Sequence, residues 1–152
     1  MVEDMIVFAE HGEEARSDAV TLLYVSDGEA EISFPSALPD GGMKAGNLVP
    51  GDLLFLAPGV EYKLQTSGQV ISISLTSPPP LPEDGNVLAD FFSAPSGFLL
   101  FRTGNDPFLR EDFQRILREG QDRRPFHQEI IRNTLAQDFC LLLRNYTAEA
   151  AA

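Results

Sequence analysis

Few residues of this chain have the types and spacing needed for catalysis or metal binding. Its two histidines, His11 and His127, lie far apart and in different kinds of predicted structure. No His-x-His, His-Glu-x-x-His or paired-cysteine spacing occurs, so no metal or other cofactor is expected. Ser36 and Ser96 lack the strand–turn–helix context of a nucleophilic serine. Gly41-Gly42 lacks the strand-to-helix pattern of a phosphate loop. Nothing in these spacings requires an enzyme.

A second group of aromatic and polar side chains could line a ligand cavity instead. For each aromatic residue in it, ordinary core packing is the expected role and cavity lining is the alternative. Arg102 stands late in the apolar run L-L-F-R-T. An arginine there either extends to the surface or pairs with an anion at the mouth of a barrel. The group consists of Tyr24, Phe34, Phe55, Tyr62, Ser72, Ser74 and Arg102.

The elements that position these side chains are centred on the stretch Pro50 to Tyr62. Two Pro-Gly pairs bracket the apolar run Leu53 to Leu56, which is too short for a helix and suits a buried strand. Val60 to Thr66 then alternates apolar and polar residues, as in a half-buried strand. Similar turn–strand units on either side predict a small antiparallel barrel or sandwich.

A tight turn at Ser26–Glu29 is the strongest local signal, because Asp-Gly at its centre favours a two-residue β-hairpin. The hairpin is predicted to join strands at Ala19–Val25 and Ala30–Phe34. Further strands are predicted at Met5–Ala9 and Gly97–Thr103, a helical turn at Val87–Phe92, and connections at His11–Asp18, Pro35–Gly46 and Pro78–Gly85.

The strand Val70 to Thr76 alternates strictly, and its two faces allow two interpretations. Isoleucines and a leucine occupy one face, while Ser72 and Ser74 occupy the other. If the serines face outward they are ordinary solvent-exposed residues, which is our expectation. If they face into a barrel they are hydrogen-bonding groups in a pocket.

Two helices are predicted in the last third of the chain. Asp106-Pro107 has the N-cap and first-turn residues of a helix that ends near Gly120. A second helix is predicted from Arg124-Pro125 to about Tyr146, and its apolar residues cover more than one stripe. We therefore expect a homodimer interface on it, formed by Ile131, Leu135, Phe139 and Leu142, with burial inside one chain as the alternative.

Composition bounds the remaining possibilities. The 152 residues carry a formal charge of −12, which disfavours nucleic-acid binding. Cys140 is the only cysteine, and we interpret it as a small buried side chain in a reducing, cytoplasmic setting. No signal peptide or membrane span is evident. We predict a β-barrel over residues 1–104, a helical linker and dimerisation segment over 105–147, and a tail or truncated linker over 148–152.

Two motifs resemble the cupin-type barrel of AraC-family transcriptional regulators. They are Tyr24-Val25-x-x-Gly28-Glu29 and the run G-D-L-L-F-L-A-P-G from Gly51 to Gly59. The helical run E-I-I-R-N-T-L-A-Q-D-F-C-L-L-L-R-N-Y resembles the linker helices that follow this barrel, so the likeness spans roughly residues 19–146. It implies a mainly β fold, a cupin-like double-stranded β-helix, followed by two linker or dimerisation helices.

The resemblance also implies a function. A small effector, such as a sugar or another small metabolite, would bind in the barrel at Thr21, Tyr62, Ser72, Ser74 and Arg102. It would shift the N-terminal segment or the linker helices between two arrangements and so alter the spacing of attached DNA-binding units. The family places those units after the linker helices, where this chain stops, so this segment is not expected to bind nucleic acid itself.

The chain departs from the metal-binding cupins at every ligand position. The histidine positions of the first motif fall near Glu14 to Ser17, its glutamate position falls on Thr21, and the histidine of the second motif falls on Tyr62. This argues against metal-dependent chemistry. One remaining alternative is a metal-free cupin enzyme of the sugar isomerase or epimerase type, with Tyr62 and a carboxylate as acid and base. The other is a purely structural dimerisation module with a filled barrel.

Overall fold

Two antiparallel β-sheets and three helices make up the fold, which is known from a computed structural model describing residues 2–8, 13–16, 19–34, 44–76 and 85–151. The six-stranded sheet has the order β1-β8-β3-β6-β9-β10, and the four-stranded sheet has the order β2-β7-β4-β5. The elements are β1 (Val2–Phe8), β2 (Glu13–Arg16), β3 (Val20–Asp27), β4 (Ala30–Phe34), β5 (Lys44–Leu48), β6 (Asp52–Leu56), β7 (Glu61–Thr66), β8 (Gln69–Leu75), α1 (Val87–Ser93), β9 (Phe98–Arg102), α2 (Pro107–Asp122), α3 (His127–Asn145) and β10 (Ala148–Ala151).

The six-stranded sheet is covered on both faces, which explains the unbroken apolar runs Leu22–Val25 of β3 and Leu53–Leu56 of β6. Successive side chains of a strand point to opposite faces. Leu22 on β3 and Phe55 on β6 pack with the helices, whereas Leu23 and Leu54 pack with the four-stranded sheet. We call these two sides of the six-stranded sheet the helix face and the inter-sheet face.

Strands β3 and β4 belong to different sheets, so the hairpin predicted at Ser26–Glu29 is wrong. The turn itself is present, with Gly28 at a φ of 69°. It packs against the turn between β7 and β8 so closely that a Cβ on Gly28 would lie 2.8 Å from the Cα of Gly68. The Ser67 N–H also donates to the Glu29 carbonyl at 2.9 Å. The chain therefore crosses from one sheet to the other at this turn.

Helix α2 begins as the sequence predicts. The Asp106 carboxylate accepts a hydrogen bond from the Phe108 N–H at 2.9 Å, and Pro107 is the first helical residue. The helix continues past Gly120 to Asp122. It ends there because Arg123 adopts the left-handed conformation. Its apolar stripe packs on the helix face of the six-stranded sheet.

The four residues of α3 that were predicted to form a dimer interface lie in the core of a single chain, which corrects that prediction. Ile131, Leu135, Phe139 and Leu142 are all buried together with residues of the six-stranded sheet. The Phe139 ring meets the Phe55 ring edge-to-face with centroids 5.5 Å apart. These side chains pack within one chain and are not accessible to a second copy of the protein.

Several local expectations also change. The segment predicted as a loop at His11–Asp18 contains β2, which pairs with β7. The C-terminal segment predicted as a tail forms β10, which pairs with β9. Cys140 is exposed rather than buried. The strand β5 begins inside the connection predicted at Pro35–Gly46. Residues 35–43 of that connection, residues 78–84 of the proline-rich one, and His11 lie outside the described residues.

Candidate functional site

A cavity of about 210 Å³ lies between the two sheets, where strands β4 and β5 face strands β6, β9 and β10. Its walls are mostly apolar, and its polar groups gather near the end of β9. Phe34 and Phe98 stack across it with ring centroids 5.3 Å apart, which joins the two sheets. The lining residues are Ile32, Phe34, Gly46, Asn47, Leu48, Leu54, Phe98, Leu100, Arg102 and Glu149.

Arg102 is the cation of this cavity, and the backbone register explains its position. It is the last residue of β9 and lies opposite Asp52, the first residue of β6. Its Nη1 donates to a carboxylate oxygen of Asp52 at 2.8 Å. It also donates to the Asn47 carbonyl on β5 at 3.4 to 3.5 Å, and its Nε lies 3.4 Å from a Glu149 oxygen on β10. One guanidinium therefore connects four strands.

Asp52 is the buried partner of this arginine, and the sequence analysis did not select it. The same oxygen that pairs with Arg102 accepts the Val49 N–H at 3.0 Å. The other oxygen has no hydrogen-bond partner among the described residues. Burial raises the pKa of Asp52, while the Val49 N–H and Arg102 oppose the increase.

A signal for this pair was present in the sequence. Asp52 follows Pro50-Gly51 and directly precedes the apolar run Leu53 to Leu56, so its carboxylate lies next to buried residues. A buried carboxylate needs a cation or several N–H donors. Only four basic residues occur in the first 104 residues of the chain, and Arg102 is one of them.

Strand β10 closes one side of the cavity. Glu149 lies opposite Leu100 of β9, and both residues line the cavity. The Glu149 side chain is 66% exposed and the Arg102 side chain 45% exposed, so their ion pair is at the surface. The Asp52 side chain is fully buried in the other ion pair. The guanidinium thus has one inner and one outer carboxylate.

The other predicted ligand residues lie elsewhere on the inter-sheet face. Thr21 on β3 pairs with Ser74 on β8, and Ser72 stands opposite Leu23. Ser72 and Thr21 are buried, and strand alternation places both serines on the side of the four-stranded sheet. The expectation that the serines face solvent is therefore wrong for Ser72, whereas Ser74 is half-buried. The hydroxyl of Thr21 donates to the Ala19 carbonyl at 3.2 Å.

The structure brings the three hydroxyl residues together but leaves them apart from Arg102. Three inter-strand steps separate β8 from β9, or about 14 Å at roughly 4.8 Å per step. Tyr62 is buried in the same inter-sheet core, on β7 of the four-stranded sheet. Of the five predicted ligand residues, Arg102 alone lines the cavity described above.

A second polar cluster lies on the helix face, where α2 and α3 pack on β3. Asp138 on α3 is fully buried, and neither of its carboxyl oxygens has a hydrogen-bond partner among the described residues. Burial first, and the neighbouring Asp112 carboxylate second, raise the pKa of Asp138 to about 10. The group is therefore a neutral carboxylic acid at neutral pH.

The Tyr24 hydroxyl belongs to the same cluster. It is buried with no hydrogen-bond partner in the part of the chain that the structure describes, and its ring stacks on Phe113 at 4.3 Å. Burial is the main reason that the pKa of Tyr24 rises to about 12. Tyr24 is predicted from the sequence to be a cavity or core residue, and it lies in the core beneath the helices.

Within the described residues, no group of three or more histidine, cysteine or acidic side chains is arranged to hold a metal ion. The described helices include none with the length and apolarity needed to cross a lipid bilayer.

Comparisons with known proteins show a similarity of fold but do not assign the chain to a family. No protein family and no curated protein matches the chain. Among solved structures, apo ToxT K231A from Vibrio cholerae is similar with a TM-score of 0.63 and 10% identity, over 93% of this chain and 56% of that one.

Two further solved structures match about half of this chain. A cupin superfamily protein from Desulfitobacterium hafniense has a TM-score of 0.37 and 24% identity, over 47% of this chain and 62% of its own. The Drosophila melanogaster CENP-C cupin domain has a TM-score of 0.36 and 18% identity, over 45% and 55%. This chain spans less than two thirds of the length of each of these three structures.

The architecture is a cupin-like β fold with C-terminal helices, as the sequence predicts. Two antiparallel sheets face each other around a mostly apolar interior, and the helices cover the outer side of one sheet. The likeness to ToxT extends over both the β part and the helices of this chain, because it covers nearly the whole length.

Proposed function

We propose that this chain is a small-molecule-binding domain whose ligand occupies the cavity beside Arg102. The observation that carries the proposal is the combination of apolar walls with one guanidinium at the rim. Ligand sites in proteins are typically apolar cavities with a few placed polar groups that orient the ligand. At about 210 Å³, or about seven water volumes, the cavity suits a ligand smaller than a typical drug.

We further propose that the domain senses an effector as part of an AraC-type regulator. Two observations support this role: the resemblance of residues 19–146 to the barrel and linker helices of that family, and the fold likeness to ToxT, an AraC-family protein. In this proposal the domain dimerises through a surface other than Ile131, Leu135, Phe139 and Leu142, because those residues are buried in one chain. Ligand binding then shifts the populations of two arrangements of the domain.

The experiment is a binding screen in which the cavity can be blocked without unfolding the protein. Gly46 lines the cavity on β5, and a Cβ placed on it meets nothing within 4 Å. Gly46→Leu should therefore fill the cavity at little cost in stability. Thermal unfolding is measured with sugars, short alkanoates, aromatic acids and their alcohols, since a ligand bound to the folded state raises the midpoint.

We expect at least one compound to stabilise the wild type and to lose its effect in Gly46→Leu. The matched controls are Thr21→Val and Ser72→Ala. They alter predicted hydroxyl groups two and three inter-strand steps from β9, or about 10 and 14 Å, and should change the affinity less than about two-fold. A compound that binds equally well to Gly46→Leu, or one whose binding is lost in Ser72→Ala, contradicts the proposed site. Consumption of the bound compound would instead identify an enzyme.

A further inference from the structure

We propose that the ligand carries a carboxylate on a short hydrophobic body, and that this carboxylate replaces Glu149 at Arg102 and so loosens β10. This inference rests on the proposed function and adds the ligand class and the moving part. It starts from the unequal partners of Arg102. The inner carboxylate, Asp52, is buried and 2.8 Å away, whereas the outer one, Glu149, is exposed and 3.4 Å away. The outer carboxylate is the one that a ligand can replace.

The lining of the cavity selects the ligand class. Phe34, Leu54, Phe98 and Leu100 surround the interior, so the part of the ligand that enters must be apolar. Arg102 at the rim presents planar N–H donors that match the two oxygens of a carboxylate. A body of about seven water volumes corresponds to a chain of five or so carbons or to one aromatic ring.

Charge explains why the ligand would exchange with Glu149 rather than join it. Arg102 already has two carboxylates near it, and the chain carries a formal charge of −12. A third carboxylate beside one guanidinium would be repelled by the other two. Replacement of Glu149 by the ligand carboxylate leaves the local charge unchanged. The bound state is therefore the one in which Glu149 has moved away.

Glu149 links this exchange to the backbone, because it is the second residue of the four-residue strand β10. The described contacts of β10 are its pairing with β9, from Ala148–Phe101 to Ala151–Phe98, the packing of Ala148 against the core on the helix face, and the Glu149–Arg102 ion pair. Loss of the ion pair removes the described side-chain link between the two strands on the inter-sheet face and leaves the backbone pairing and the packing of Ala148. The ligand thus favours a state with a loosened β10, which is the differential affinity that a population shift requires.

The test uses hexanoate as the probe and 1-hexanol as its uncharged counterpart. Affinity is measured by calorimetry, and the opening of β10 is measured by hydrogen exchange of the amides of residues 148–151. We expect hexanoate to bind at least several-fold more tightly than 1-hexanol. We also expect hexanoate to accelerate exchange in β10, whereas most ligands slow exchange near their site.

Glu149→Gln is the decisive variant, because it removes the competing charge and keeps the shape. It should tighten hexanoate binding by roughly two- to five-fold, the range set by an exposed ion pair. Its β10 should exchange faster than that of the wild type before any ligand is added. Glu111→Gln makes the same charge change on the exposed surface of α2, and it should alter neither measurement.

The outcomes separate this inference from the proposed function. If 1-hexanol binds as tightly as hexanoate, or if Glu149→Gln behaves like Glu111→Gln, the exchange at Arg102 is contradicted while the cavity remains a binding site. Unchanged or slower exchange of β10 in the presence of bound hexanoate also overturns it. If neither probe nor any compound of the screen binds in a way that Gly46→Leu abolishes, the proposed function itself fails.

Discussion

Two buried aspartates on opposite faces of the six-stranded sheet have very different hydrogen-bond partners. Asp52, on the inter-sheet face, has a guanidinium and a backbone N–H within hydrogen-bond distance. Asp138, on the helix face, has no hydrogen-bond partner among the described residues. Burial raises the pKa of both groups, to about 10 for Asp138, whereas Arg102 and the Val49 N–H limit the increase at Asp52.

The two faces of the six-stranded sheet therefore have different roles. The inter-sheet face holds a charge in place, beside a cavity that remains open. The helix face is closed by aromatic and aliphatic packing, and its carboxyl group is tolerated in neutral form. A charged pair beside a cavity is suited to recognition, whereas a neutral acid under two helices is a matter of stability.

The largest effect is expected from the packing of the helix face. Phe139→Ala should lower the free energy of unfolding by about 3–5 kcal/mol, because the ring is fully buried and contacts Phe55. The neighbouring variant Cys140→Ala alters an exposed side chain and should change it by less than about 0.5 kcal/mol. Urea unfolding measures both. A stable Phe139→Ala protein that only dissociates from a dimer would restore the interface predicted from the sequence.

A stabilisation by a few kcal/mol is expected from Asp138→Asn at pH 7 to 8. The pKa of Asp138 is raised from 3.8 in the unfolded chain to about 10 in the folded one, so the folded state holds a proton that the unfolded state has released. Its contribution to stability is therefore full below pH 4 and declines as the pH rises toward 10. Asparagine has the shape of the neutral carboxylic acid but does not ionise, so the variant does not lose this stability as the pH rises.

The measurement is the free energy of unfolding between pH 5 and pH 9 for the wild type, Asp138→Asn and Asp122→Asn. Asp122 is an exposed aspartate at the end of α2 and serves as the matched control. We expect the wild type and the control to lose stability with rising pH more steeply than Asp138→Asn. Parallel curves for all three proteins would mean that Asp138 is charged in the folded state.

The smallest of these effects concerns the charged pair of the inter-sheet face. Arg102→Gln should cost about 1–3 kcal/mol, because it leaves the buried Asp52 carboxylate without its cation. The double variant with Asp52→Asn should regain part of this loss. Urea unfolding of the two single variants and the double variant gives the coupling free energy of the pair. A coupling near zero would show that Asp52 does not depend on Arg102.

Much of the β part could be predicted from the sequence, since its signals are local. The turns at Pro50-Gly51 and Pro58-Gly59 and the buried run Leu53 to Leu56 occur where expected. The N-cap at Asp106 and the two long helices also occur where the sequence predicts them. Each depends on the conformational preference of a few consecutive residues.

The candidate site was only partly predictable, because its members come from five strands. Arg102 was selected, but its partners Asp52 and Glu149 were not, since strand register decides which residues lie opposite each other. The serines of β8 are predicted from the sequence to face solvent. An alternating pattern shows that a strand has two different faces, but it does not show which elements cover each face. In the structure, Ser72 is covered by the second sheet.

The order of the residues is enough to predict where the chain turns, which runs form strands and which form helices, and that the fold is cupin-like with C-terminal helices. The separation of β3 and β4 into two sheets and the burial of α3 within one chain are visible only in the folded structure. The meeting of Arg102, Asp52 and Glu149 at a cavity is also visible only there. The physical reason is that turns and helix ends depend on neighbouring residues, whereas strand pairing and burial depend on contacts between residues far apart in the chain.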